Sequence, residues 1–319
     1  CSDNKFTSLP DLANSLQKLY CSNNRLTSLP DLPNSLQELD CDYNKLTLLP
    51  DLPNSLQDLY CSNNQLTSLP THLPNLLQYL YCYKNKLISL PDHLPYSLKI
   101  LNCSCNQLTL LPNILPNSLH ELHCSDNQLT LLTNTLPHSL QEFDCSYNEL
   151  TSLPDHLPNS LQSLYFHNNK VTSLPDHLPS SLKELCCSNN NLTSLHNNII
   201  NCRNLRSINY DNNEIEYIPP FITRFLNRLR NTSNNVDIYN DGQNVHNHQI
   251  QESIRNSIYA IMQQEPSLST DETINEIISS TILTEQTKQL IMEYMEDNSI
   301  HSVLDITFSE LLTNVWEVI

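Results

Sequence analysis

Asn4, Asn24, Asn44, Asn64, Asn85, Asn106, Asn127, Asn148, Asn169, Asn190 and Asn213 recur at intervals of 20 or 21 residues, with a final interval of 23. Residues 39–50 (LDCDYNKLTLLP) show the frame around them, L-x-C-x-x-N-x-L-x-x-L-P. Residues 19–30, 59–70 and 101–112 repeat it, as do residues 143–154 with Phe143 for the first leucine. A unit this short cannot bury an apolar face alone, so units of one period must stack. The chain is constrained to a solenoid.

One turn is legible in residues 15–32 (SLQKLYCSNNRLTSLPDL). Leu16, Leu19, Cys21, Leu26 and Leu29 face inward, and the alternation across residues 18–22 is that of a strand. Asn24, Asn44, Asn64, Asn85, Asn106, Asn127, Asn148, Asn169 and Asn190 follow the strand, where the chain turns. A buried asparagine there bonds backbone groups left unpaired and ties adjacent coils into a structural ladder. Pro30 and Pro33 lie too close for a helix, so the outer side stays extended. Units between residues 70 and 181 mostly add one residue on that side: His72, His93, Ile114, Thr135, His156 or His177. Four histidines in a column suggest a metal or pH device. Ile114 and Thr135 interrupt the column and no further ligands adjoin it, so it reads as exposed decoration and no metal is expected.

The last unit, residues 195–222, has a longer outer segment carrying Cys202 and Leu205, with a helical turn expected over residues 197–202. Pro219 and Pro220 end the coil. Phe221, Ile222, Phe225, Leu226 and Leu229 then follow helical spacing, which predicts a cap over residues 220–230. Residues 231–249 read as a polar linker. Ile250, Ile254, Ile258, Ile261 and Met262 keep helical spacing. Ser269 with Glu272, and Thr307 with Glu310, are capping boxes. With a third helix over residues 285–296, a four-helix bundle is expected over residues 250–319. The fold class is thus an α/β repeat solenoid over residues 1–220, a curved parallel sheet with an extended convex side, followed by a small all-α domain. About eleven repeats stacked ~4.8 Å apart give a length of roughly 50 Å. The first repeat begins at its cysteine, which suggests truncation at the N-terminus.

The net charge of −18 argues against nucleic acid and anionic membrane surfaces, which want Lys and Arg, and is compatible with a basic protein partner. A single glycine, Gly242, disfavours the glycine-rich loops that cradle phosphates, and no cofactor is expected. No apolar run is long enough to span a bilayer. Of twelve cysteines, Cys1, Cys21, Cys41, Cys61, Cys82, Cys103, Cys124, Cys145 and Cys187 share one inward position. They read as small buried thiols of a reducing, cytoplasmic compartment, not as a disulfide framework. Their spacing is not that of zinc ligands.

The unit L-x-C-x-x-N-x-L-T-x-L-P-x-L-P-x-S-L resembles the short leucine-rich repeats of secreted bacterial effectors such as the YopM and IpaH group. Cysteine in place of the usual aliphatic residue, with an Asn- and Ile-rich, Gly-poor composition, is similar to leucine-rich repeat proteins of giant amoeba viruses such as mimivirus. The resemblance covers residues 1 to about 230 and implies a scaffold for protein partners. In the viral case the host cytoplasm would be the setting. Effectors with similar repeats also carry a C-terminal ubiquitin-ligase domain with a nucleophilic cysteine. No cysteine follows Cys202, so that enzyme is not expected.

Function is expected on the concave face. Its columns set tyrosines on an acidic background, with Tyr60, Tyr79, Tyr81 and Tyr83 clustered beside Lys84, and with Asp40, Glu121, Asp144 and Tyr165 along it. Exposed tyrosine with little lysine is the composition of a protein-binding surface. Strands also favour tyrosine simply for packing. Carboxylates such as Glu38 and Asp40 stand on an open sheet that excludes no water, so no catalytic residue is assigned. The expected function is a non-catalytic protein-interaction scaffold. The alternatives are an adaptor for a host ubiquitin-ligase or signalling complex acting through the helical domain, and a structural virion or surface component.

Overall fold

The computed structural model describes residues 1–133 and 135–232. Ten strands of three residues form one parallel sheet in sequence order. They are β1 (Lys18–Tyr20), β2 (Glu38–Asp40), β3 (Asp58–Tyr60), β4 (Tyr79–Tyr81), β5 (Ile100–Asn102), β6 (Glu121–His123), β7 (Glu142–Asp144), β8 (Ser163–Tyr165), β9 (Glu184–Cys186) and β10 (Ser207–Asn209). Register never slips: Leu19 pairs with Leu39, Leu39 with Leu59, and so on to Leu185 with Ile208. Equal repeat positions therefore stack into columns. The expected eleven repeats give ten strands, because the first unit starts after its strand positions.

The middle residue of each strand points into the core, and Leu39, Leu59, Leu80, Leu101, Leu122, Phe143 and Leu164 are fully buried. The cysteine column from Cys21 to Cys187 is fully buried beside them, with Phe166 in the one place where the column lacks a cysteine. All twelve cysteines are free thiols. Several donate S–H to the next strand, as Cys41 does to the Tyr60 carbonyl (3.3 Å) and Cys103 to that of His123 (3.4 Å).

Strands end quickly because the chain turns three residues later through a left-handed residue. Asp3, Asn23, Tyr43, Asn63, Lys84, Cys105, Asp126, Tyr147, Asn168, Asn189 and Asn212 all have φ between 50° and 58°. Asparagine and aspartate tolerate this region better than other non-glycine residues. The turn swings the next asparagine inward. Asn44 is typical: its Oδ1 accepts from Leu26 N–H in the preceding coil (3.0 Å). Its Nδ2 donates to Cys21 O in that coil (2.9 Å), and to Cys41 O and Asp42 O in its own (both 3.1 Å). The same pattern runs through Asn64, Asn85, Asn106, Asn127, Asn148, Asn169 and Asn190 to Asn213.

A second ladder runs along the extended side. Ser35 Oγ shares its proton between Asn14 O (2.8 Å) and Leu16 O (2.7 Å) of the preceding coil. Ser55, Ser97, Ser118, Ser139 and Ser160 do the same. Leu76 takes the serine position in one coil and is exposed instead. His72, His93, Ile114, Thr135, His156 and His177 are all exposed.

The longer last outer segment contains a 3-10 turn, Asn197–Asn201, whose Ile199 is buried. Helix α1 (Pro220–Thr232) runs two residues past the expected end of the cap. It starts at a proline, whose missing N–H costs nothing in a first turn, and buries Ile222, Phe225, Leu226 and Leu229. Nearly all described residues belong to one compact unit, Cys1–Glu216 with Pro220–Tyr239. The four-helix bundle expected over residues 250–319, and the linker before it save the end of α1, lie outside the described residues.

Two substitutions test the ladders. Asn64→Ala removes one acceptor and three donor contacts and leaves buried backbone groups unpaired, so it should cost about 3 kcal/mol in urea denaturation. Leu76→Ser should restore the missing donor and raise stability by about 1 kcal/mol.

Candidate functional site: the open face of the sheet

The face opposite the core carries three columns. Two come from the outer residues of each strand, and the third from the residue after each cysteine. Stacking by register places Tyr60 beside Tyr81, and Tyr79 between Asp58 and Ile100. Tyr60 and Tyr81 stack with ring centroids 5.1 Å apart and planes 10° from parallel. Burial pushes the Tyr60 hydroxyl up to about 12, with Asp58 adding to it. Burial also raises Tyr81, followed by the charge of Glu121. Tyr83 does not join this stack. Burial and then the Tyr43 hydroxyl raise it, so it lies on the side of the left-handed turns. The four tyrosines thus form a stacked pair with Tyr79 on one flank and Tyr83 on the other.

The carboxylates divide into two kinds. Asp40 Oδ1 accepts from Asp42 N–H (3.1 Å) and its Oδ2 from Ser22 Oγ (2.9 Å). Asp144 Oδ1 accepts from the N–H (3.0 Å) and Oγ of Ser146. Asn102 and Asn209 make the same contact two residues on. These four fasten the chain as it leaves the strand, which gives Asp40 and Asp144 a local task besides any partner. The strand-leading column instead projects acids outward. Glu38 is held by Lys18 Nζ (2.8 Å), which lowers its carboxyl below the usual range. Glu121 and Glu142 stand 3.8 and 3.9 Å from His123 Nε2. The Tyr165 hydroxyl donates to Glu184 Oε2, and burial first, then this contact, pushes it up to about 12.

Asp42 is different. It is half-buried in the third column and accepts the Ser62 N–H at 2.5 Å. No cation among the described residues pairs with it. Burial pushes its carboxyl up to about 6, the Ser62 N–H pulls the other way, and Asp40 adds to the rise. The buried Ser62 side chain lies against Asp42 and lowers it as well, and the Asn63 side chain does the same for Tyr83.

Residues 14–54 match the family of leucine rich repeats (2 copies), and residues 55–76 match the single leucine rich repeat. These coils are leucine-rich repeats. No curated protein matches the sequence. Among solved structures, YopM from Yersinia enterocolitica WA-314 is 35% identical over 68% of this chain and 51% of its own, with TM-score 0.56. YopM from Yersinia pestis, a leucine-rich effector protein, is 34% identical over 67% of this chain and 65% of its own, with TM-score 0.58. The functional domain of InlJ from Listeria monocytogenes, which includes a cysteine ladder, is 29% identical over 69% and 49%, with TM-score 0.60. The chain spans less than two thirds of either YopM chain.

Leucine-rich repeat proteins are generally non-catalytic scaffolds for protein interaction. Among the described residues no group of three or more His, Cys, Asp or Glu could hold a metal ion. Among them, too, no helix is long and apolar enough to cross a membrane. Ser62 and Tyr43 carry no signal of their own in the sequence. Asp42 breaks a column that is otherwise mostly serine, and that break was the available signal.

Asp42 gives a pH test. Its folded value of about 6 exceeds the ordinary 3.8, so its contribution to stability is present below 3.8 and is lost as pH rises through 6. Discounted for solvent screening, Asp42→Asn should be about 1 kcal/mol more stable than the parent at pH 7.5. The difference should vanish near pH 4, as read by urea denaturation at both values.

Proposed function

We propose that this leucine-rich repeat chain is a non-catalytic scaffold that binds a basic protein partner across the open face from β2 to β8. The stacked pair Tyr60 and Tyr81 carries this reading, since it offers rigid aromatic area on β3 and β4 with acids to either side. Acids lie on both sides of it: Glu38, Asp40, Asp42 and Asp58 before, and Glu121, Glu142, Asp144 and Glu184 after. Lys18 is the lone lysine or arginine in the three columns. A partner with cations flanking an apolar centre complements this pattern. Tyr79, Tyr83 and Tyr165 extend the aromatic surface. The column of free thiols supports a reducing compartment such as a cytoplasm. Cysteine at the core position also supports a place among the repeats of giant amoeba viruses, which makes amoeba lysate the first source of partners.

The test is a pull-down with the parent chain and with the triple variant Tyr79→Ala, Tyr81→Ala, Tyr83→Ala. A basic protein that is captured by the parent, released at high salt, and lost with the triple variant while circular dichroism is unchanged is the expected outcome. Identical captures would move the function to residues 231–319, where the adaptor reading puts it. Captures by neither would favour a structural component.

A further inference from the structure

We propose that the flank leading from the asparagine turn to the extended side is a self-association surface, on which a second copy of this chain docks in parallel, coil against coil. This flank is separate from the open face and does not depend on what binds there. The residue after the ladder asparagine is exposed and basic in four of the first five coils: Lys5, Arg25, Lys45 and Lys86. Six residues further on, where the outer side begins, the same coils carry exposed Asp11, Asp31, Asp51 and Asp92. The remaining coil is neutral at both places, with Gln65 and Thr71, and so is the coil that follows, with Gln107 and Asn113. Charge is thus matched coil by coil, although none of these eight charged side chains makes an ion pair among the described residues. Further along the stack Lys170 is paired with Glu149, and Asp176 lies 3.5 Å from His196 Nε2.

Between the two stripes run columns of threonine and serine. Leu48, Ile88, Leu110 and Leu131 take their place in four coils, each more than half exposed. Lys45 N–H donates to Leu26 O (2.9 Å) and Thr67 N–H to Thr47 O (3.4 Å), which holds neighbouring coils in register along this flank. Leu48, Asp51, Ser68 and Thr71 line one groove, so the apolar strip and the acidic stripe share a surface.

This pattern selects a copy of itself. A chain of net charge −18 repels its own kind over most of its surface, whereas this flank balances four cations with four aspartates. A peptide of either sign would match one stripe and be repelled by the other. Coils stack about 4.8 Å apart, and a second stack of coils offers its charges at the same interval. A two-fold axis lying in the interface, parallel to the stack, exchanges the stripes. Arg25 then faces the second copy's Asp31 and Lys45 its Asp51, each pair occurring twice, while Leu48 and its neighbours meet their own equivalents. A two-fold axis across the stack would set like charge on like. An apolar centre with a polar rim is the usual build of a protein interface. The two open faces point away from each other in this arrangement, so both stay available.

The experiment is sedimentation equilibrium of the full chain under reducing conditions, for the parent and two charge-reversed variants. One variant carries Arg25→Glu and Lys45→Glu, the other Asp31→Lys and Asp51→Lys. All four positions are exposed, and an unchanged melting transition shows that the variants fold. The parent should dimerise, each variant alone should do so about 100-fold more weakly, and an equimolar mixture should recover the parent affinity to within about 3-fold. Recovery shows that the stripes of one copy meet those of the other, because the mixture sets two acidic stripes on two basic ones. Leu48→Ser with Leu110→Ser should weaken the dimer about 10-fold. A parent that stays monomeric, or a dimer indifferent to both charge reversals, would overturn the self-association surface. Loss in both variants without recovery in the mixture would overturn the pairing of stripe with stripe.

Discussion

Everything in this solenoid depends on the asparagine that follows the left-handed turn. Its side chain does what a backbone hydrogen bond cannot, joining two coils and closing the turn of one with a single amide. It can do so only if the residue before it adopts positive φ. Glycine would do this without steric cost, yet the chain's single glycine lies elsewhere. Asparagine and aspartate fill seven of the eleven positions, and Tyr43, Lys84, Cys105 and Tyr147 fill the rest. Each of those four carries strain of about 1 kcal/mol. The two tyrosines among them put a ring at the margin of the open face. Tyr43 lies by Tyr83, and Tyr147 meets His167 edge-on at 5.1 Å. Strain is kept where a side chain has other use.

The cysteine column follows from the same economy of length. A coil of 20 or 21 residues with an extended outer side has room for only a thin core, and cysteine fills it as a small hydrophobe. Its thiol also reaches a strand carbonyl that already accepts a backbone N–H, as Cys41 does at Tyr60. Burial raises these thiols well above their ordinary value, so they stay protonated and unreactive.

Much of this was legible in the sequence because a strict period fixes register. Once Leu39 stacks on Leu19, every other column is fixed too, and the inward leucines, cysteines and asparagines follow. The left-handed position was missed although Asn and Asp predominate there, because residues such as Tyr43 and Lys84 break the pattern. The serine ladder was visible as Ser35, Ser55, Ser97 and Ser118 but gave no apolar signal. The open face was the least legible. Periodicity states which residues lie on it, while rotamers decide that Tyr60 turns onto Tyr81 and that Tyr83 turns away. Asp40 and Asp144 looked like free acids, and the Asp-x-Ser or Asp-x-Asp spacing that binds them to their own turns went unread.

The open face is also where the demands of folding stop. Inside the coils the repeat holds leucine, cysteine and asparagine nearly constant, while the outward columns change from coil to coil. Folding alone would not choose their acidity. Register sets Glu38 opposite Asp58 and Glu121 opposite Glu142, and like charges paired across strands destabilise a sheet. The repulsion is visible at Asp58, which burial and then Glu38 push above the usual carboxylate range. One lysine relieves it at Glu38, and a few more would relieve the rest without touching the core. A face that keeps this repulsion, with stacked tyrosines on it, is what the proposed binding role would require. Cations supplied by a partner would remove the repulsion on binding, so the strain of the free face becomes part of the affinity of the complex.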